Sequence, residues 1–144
     1  MQGEPGGRFG GRWKKTSGTI GGTSAYALVT WDATAVETPN GCSMSSGTLT
    51  LTQPGLWVIE AGMSSSSSAR LDLAIGTSTS LFLAADSYPQ PATTAIGYCN
   101  VVCQKIFANG QTLGVYAKLG SAAGTPGDFN SEVCHLSARW IGPD

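Results

Sequence analysis

The chain has 144 residues, of which 12% are charged and 20 are glycine; it carries one histidine and a formal net charge of −1. That is one domain's length, enough to bury a single core, and the charge is too sparse for disorder driven by self-repulsion or for a Lys/Glu-rich coiled coil. No apolar run approaches the roughly 18 residues that cross a membrane as a helix, and no membrane partner is expected.

In chain order, residues 1–24 stand apart. Eight of these 24 are glycine, and Arg8, Arg12, Lys14 and Lys15 are opposed only by Glu4, a net +3 against −4 for the remaining 120 residues. The segment lacks the apolar centre of a secretory leader, so assembly in a cytoplasm is expected, with Cys42, Cys99, Cys103 and Cys134 as free thiols. Cys99 and Cys103, four apart on one strand, would lie about 13 Å from each other, too far for a disulfide. With no periodicity of its own, the segment reads as an extended arm. Phe9, Trp13 and Ile20 would fill pockets on a partner, and Arg8, Arg12, Lys14 and Lys15 would pair with acidic groups there.

From Ala25 the pattern has period two. Residues 23–31 (TSAYALVTW) read as a strand, and Pro39-Asn40-Gly41 as a turn. Leu49 and Leu51 alternate with Thr48, Thr50 and Thr52, after which Gln53-Pro54-Gly55 turns the chain. LWVIEAGMS sets Trp57, Ile59, Ala61 and Met63 on one face against Val58 and Glu60 on the other. ARLDLAI points Leu71, Leu73 and Ile75 inward, and LFLAA is a short strand. AIGYCNVVCQKIF is a long strand ending at Asn109-Gly110, a hairpin signal. TLGVYAKL opposes Leu113, Val115, Ala117 and Leu119 to Tyr116 and Lys118. EVCHLSARWIG closes the chain with Cys134, Leu136, Ala138 and Trp140 inward and His135, Ser137 and Arg139 outward. No segment has uninterrupted 3.6-residue periodicity. The expected fold is all-β: an eight-stranded jelly-roll β-sandwich over residues 25–144, preceded by the arm 1–24.

The succession TLTLTQPGLWVIEAGMS, ARLDLAIG, NGQTLGVYAK, EVCHLSARWIG resembles the jelly roll of the tumour necrosis factor and complement globular-head superfamily, over about residues 25–141. Without a secretory leader or a collagen-like stalk, the chain is similar to the version of that fold used by trimeric decoration (cement) proteins of tailed-bacteriophage capsids. The resemblance implies a homotrimer in which residues 25–31, 57–63, 112–119 and 135–141 form the sheet facing the threefold axis. Val58, Glu60, Tyr116, His135 and Arg139 would lie in the interface. It further implies a non-enzymatic virion protein on the outer capsid surface, whose arm clamps neighbouring major capsid protein subunits. The alternative is a receptor- or glycan-binding tip of a tail or head fibre, presenting Ser64–Ser68, Tyr88–Pro91 and Ser121–Asp128.

Other chemistries find little in the sequence. His135 is the one imidazole, no Gly-x-Ser-x-Gly elbow surrounds a serine, and the carboxylates are scattered, so no catalytic residue is expected. Asp86, Asp128 and Glu132 read as loop residues that could bind calcium, but no loop has the dense Asp/Asn spacing such a site needs, and no cofactor or metal is expected. Four cations on the arm are few for nucleic acid, and the body is acidic.

Overall fold

The computed structural model describes residues 8–20, 25–64, 71–88, 98–119 and 134–143. Eleven strands form two antiparallel sheets, with no helix among the described residues. They are β1 (Gly10–Lys14), β2 (Ala27–Leu28), β3 (Glu37–Asn40), β4 (Cys42–Ser45), β5 (Thr48–Leu51), β6 (Gly55–Ser64), β7 (Leu71–Gly76), β8 (Phe82–Tyr88), β9 (Tyr98–Phe107), β10 (Gln111–Leu119) and β11 (His135–Gly142). One sheet runs β3-β1-β11-β6-β9 and the other β4-β5-β10-β7-β8, with β2 continuing beside β10.

The alternation read from the sequence carries the core. Leu49, Leu51, Trp57, Ile59, Ala61, Met63, Leu71, Leu73, Ile75, Leu113, Val115, Ala117, Leu119, Leu136 and Ala138 all point between the sheets and are buried. Each large side chain withdrawn from water there contributes roughly 1.5–3 kcal/mol. Cys42, Cys99, Cys103 and Cys134 are buried free thiols. Burial pushes the Cys42 thiol up to about 11 and the Cys99 thiol up to about 12, the latter reinforced by Asp86 and Asp72.

Three departures from the sequence reading have physical causes. First, the leader is part of the fold. β1 lies between β3 and β11, pairing Gly10 with Arg139, Arg12 with Ser137 and Lys14 with His135. Trp13 is 2% exposed and Ile20 is fully buried, so both belong to this chain's own core. Gly11 is a packing position: a Cβ there would come within 2.6 Å of the Trp13 ring, so the indole folds over a residue without a side chain. The arm of residues 1–24 is therefore corrected for residues 8–20; residues 1–7 and 21–24 lie outside the described residues.

Second, among the described residues of the expected strand 23–31 only Ala27–Leu28 are strand, and the expected turn at Pro39–Gly41 is reduced to one residue. Pro39 and Asn40 belong to β3, an edge strand, where a missing N–H interrupts no ladder. Gly41 alone turns the chain, at φ 74°. A further hairpin, β4–β5, closes through Ser46 and Gly47, both at positive φ, as a two-residue turn requires.

Third, Asn109-Gly110 makes a turn but not a hairpin. The strands it joins, β9 and β10, belong to different sheets, and the turn carries the chain across the sandwich. The Gln111 amide N–H donates to the Ala108 carbonyl (3.2 Å), and the Ala108 N–H to Gln111 Oε1 (2.8 Å). The Gln53-Pro54-Gly55 turn does the same between β5 and β6, held by the Trp57 indole N–H on the Gln53 carbonyl (2.8 Å).

Beyond β1 the leader is fastened by polar contacts. The Lys15 ammonium, 3% exposed, donates to the Thr30 carbonyl (2.7 Å) and Thr30 Oγ1 (3.2 Å). Burial pushes its pKa down, while the nearby Asp32 and Cys134 oppose the shift. Asp32 accepts from the Thr16 N–H (3.1 Å) and hydroxyl (2.8 Å). A buried ammonium leaving those acceptors would forfeit charge-assisted hydrogen bonds, the strong kind, so Lys15 secures the leader to the body rather than to another protein.

Candidate self-association surface

The outward face of the β3-β1-β11-β6-β9 sheet brings together residues that the sequence reading had assigned to two separate places. Strand registers order them in rows. Lys14, His135, Gly62 and Asn100 form one row; Arg12, Ser137, Glu60 and Val102 the next; Gly10, Arg139, Val58 and Gln104 a third; Leu56 and Ile106 begin a fourth. Arg12 and Lys14, expected on an arm, thus stand beside Glu60, His135 and Arg139, expected at a trimer contact, because β1 pairs with β11.

Besides Trp13, Lys15 and Ile20, which are buried in the protomer, two further expected site residues do not belong to this face. Tyr116 lies on β10, in the opposite sheet, and is 9% exposed. The expected axial sheet of 25–31, 57–63, 112–119 and 135–141 is corrected accordingly: 57–63 and 135–141 share a sheet, while Ala27–Leu28 and 112–119 share the other. Tyr116 is covered by its own chain. Phe82 lies 6.2 Å from it, and Tyr26 packs edge-on against Phe82 at 4.6 Å. Lys118 sits over the Tyr26 ring (5.1 Å) and 3.9 Å from Asp72. Phe9, expected in a partner's pocket, stacks edge-on against Trp140 of its own chain at 5.1 Å.

The open face leaves apolar side chains in water. Val102 is 52% exposed and Ile106 57%, and Leu56 and Val58 are half-buried beside them; Ile141, at the β11 bulge, is 51% exposed. Leu81 and Leu83 are also exposed, at the start of β8, the strand that meets β9 along the edge of the sandwich. Contiguous exposed apolar side chains of this size mark contact surfaces. Sequence reasoning missed Val102 and Ile106, yet the signal was present. On β9 Cys99, Val101, Cys103 and Phe107 point inward, which leaves two β-branched residues on the outward face of the same strand.

Charge is distributed unevenly over this face. Arg12, Lys14 and Arg139 gather on the β1–β11 side, and Arg8 and Arg139 line a depression of about 340 Å³ above Gly10 and Gly11. Glu60 lies toward β9, accepting from the Asn100 side-chain amide (3.3 Å). Among the described residues none of these four cations has an ion-pair partner within the chain.

Among the described residues no carboxylate hydrogen-bonds His135, whose Nδ1 has no hydrogen-bond partner, and its cross-strand neighbours are Lys14 and Gly62. Among the described residues no three His, Cys, Asp or Glu side chains converge as metal ligands.

No family model matches the chain, and no curated protein matches it in sequence. Solved structures do match. The crystal structure of murine APRIL at pH 8.0 superimposes with a TM-score of 0.68 and 11% identity, over 93% of this chain and 99% of that one. The pH 5.0 structure of the same protein gives 0.64 and 10% identity over the same shares. At this identity the likeness is one of fold: the chain is a two-sheet β-sandwich of the tumour-necrosis-factor-like jelly-roll type.

Proposed function

We propose that this chain is a non-enzymatic structural protein that works as a homotrimer, assembled through the outward face of the β3-β1-β11-β6-β9 sheet, and that its station is the outside of a virion. The observation that carries the trimer is the pair of exposed β-branched residues Val102 and Ile106 beside half-buried Leu56 and Val58 on the outward face of that sheet. Jelly rolls of the tumour-necrosis-factor family are homotrimers, which supports the same assembly here. Cyclic trimers need two complementary patches rather than one self-complementary patch. The apolar β8–β9 edge and the cation-bearing β1–β11 side provide two such patches. Sedimentation or light scattering at micromolar concentration tests this: a trimer is expected, and a monomer overturns it.

On a capsid the trimer would act as a decoration protein, adding buried area between major capsid protein subunits and stabilising the shell by mass action. The clamp can no longer be residues 8–20, which complete the sandwich. Removing residues 1–7 alone is the informative truncation: loss of capsid attachment by a folded trimer supports a clamping leader, and retained attachment opposes it.

A fibre-tip reading has one observation in its favour. Ser64, Leu71, Tyr88, Tyr98 and Leu119 end or begin their strands at one end of the sandwich, while Phe9 and Gly142 lie at the other. The connections once considered for receptor or glycan contact leave from that first end; residues 65–68, 89–91 and 121–128 themselves lie outside the described residues. Copy number per particle separates the readings: hundreds indicate shell decoration, a handful a fibre.

A further inference from the structure

Strand registers give each side chain on the open sheet a height along the strands. At one end, Lys14, His135, Gly62 and Asn100 share a row. Asp86, exposed on β8, is close enough to Cys99, one step from that row on β9, for its charge to act on the thiol. At the other end, Trp140 pairs through Trp57 with Lys105, and Gly142 through Leu56 with Ile106. Ile141, between them at the bulge, therefore stands at the height of Ile106, two strands away. There a depression of about 320 Å³ is lined by Arg8, Phe9, Arg139, Trp140 and Ile141. Its walls are fixed within the chain. Phe9 meets Trp140 edge-on at 5.1 Å, and the Trp140 indole N–H donates to the Pro54 carbonyl (3.1 Å). The Asn40 side-chain amide donates to the Arg8 carbonyl (2.7 Å). Ile106, 57% exposed, projects from the opposite margin of the sheet.

A cyclic trimer restricts which of these groups can meet. Rotation about a threefold axis leaves only the axial direction common to two copies. An edge can lie along a neighbour's face over its whole length only if the strands run near that axis; at any other tilt the two cross at one spot. We infer that the β8–β9 edge of one copy lies along the β1–β11 side of the next, with equal heights facing. Ile106 then fills the Phe9, Trp140 and Ile141 depression of the neighbouring copy, and Asp86 meets that copy's Lys14. This rests on the trimer proposed above and names its contact residues. The occupant is a second copy because the chain carries both halves of each contact. An exposed apolar knob and an apolar hollow stand at one height, a carboxylate and an ammonium at the other. Among the described residues neither Asp86 nor Lys14 has an ion-pair partner. The hollow is already formed in the protomer, so filling it orders few side chains. Its aromatic walls and arginine stems offer the apolar area.

Cross-linking reads the facing heights directly. Within one protomer Ile106 and Ile141 lie two strands apart, roughly 10 Å, beyond the reach of a disulfide, and the four native thiols are buried. In the Ile106→Cys, Ile141→Cys double variant, mild oxidation is expected to join neighbouring copies, giving dimer and trimer bands on a non-reducing gel. Ile106→Cys combined with Arg12→Cys, which lies two rows away at about 13 Å along the strands, is expected to run as a monomer. Charge reversal reads the other end. Asp86→Lys is expected to raise the trimer dissociation constant about tenfold in sedimentation equilibrium, and adding Lys14→Asp to restore it. Suppose the wild type is trimeric, but the Ile106–Ile141 pair does not cross-link, or the Arg12 pair does, or the double reversal fails to restore association. The packing is then wrong and the trimer stands. If the wild type is monomeric at every concentration, the trimer and its packing fall together.

Discussion

The two sheets of this sandwich treat their outer faces differently. On the β4-β5-β10-β7-β8 sheet the face is finished within the chain. Tyr26, Phe82 and Tyr116 pack on one another, Lys118 lies over Tyr26, and Asp72, though 6% exposed, has Lys118 beside it. On the β3-β1-β11-β6-β9 sheet the face is left open, with β-branched side chains in water and, among the described residues, cations without ion-pair partners. Both faces belong to strands with the same alternating pattern. The difference shows that alternation says which residues leave the core, not whether something else covers them.

The largest expected effect comes from breaking the open sheet itself. Deleting residues 1–24 removes β1 from between β3 and β11 together with Trp13, Lys15 and Ile20. It is expected to abolish folding, read as loss of the cooperative thermal transition. Trp13→Ala alone should cost about 3–5 kcal/mol in urea denaturation, because the cavity left under Gly11 cannot collapse. Deleting residues 1–7 should leave the transition intact.

Single charges placed on the two outer faces sharpen the contrast. Tyr116→Asp removes a buried ring and buries an unpaired carboxylate, so roughly 3–5 kcal/mol of protomer stability is expected to be lost. Ile106→Asp sits in water and should change protomer stability by less than about 0.5 kcal/mol, while abolishing the trimer in light scattering. Equal effects from the two substitutions would erase the distinction between a covered and an open face.

Alkaline pH probes the core beneath both faces. The folded thiols of Cys42 and Cys99 ionise near about 11 and about 12, against 9.0 when unperturbed. The unfolded chain therefore releases these protons first, and their contribution to stability is complete below pH 9.0 and lost as pH rises through the folded values. A melting temperature that falls progressively above about pH 9, and falls less in a Cys42→Ala, Cys99→Ala double variant, is the expected outcome.

The smallest effect belongs to the covered face's ion pair. Lys118 is partly solvent-exposed and 3.9 Å from Asp72, so Lys118→Met should change stability by no more than about 1 kcal/mol.

The sequence by itself determined the fold class and the inward set. Period-two alternation over Trp57–Met63, Leu113–Leu119 and Leu136–Trp140 can bury apolar side chains only by pairing two sheets, whatever the order of the strands. It also determined that Gln53-Pro54-Gly55 and Asn109-Gly110 turn the chain, because those residues set or permit the dihedrals a turn needs. Tertiary structure alone decided the rest. Whether a turn closes a hairpin or crosses the sandwich depends on which sheet the next strand joins, and Asn109-Gly110 looks the same locally in either case. Whether a glycine-rich, basic leader is a loose arm or a strand depends on an open slot between β3 and β11, which no local pattern announces. Whether Tyr116 is exposed depends on Tyr26 and Phe82, distant in sequence and brought over it by β2 and β8. Pairing of strands is a long-range choice, made by the summed free energy of packing, and local residue preference carries almost no information about it.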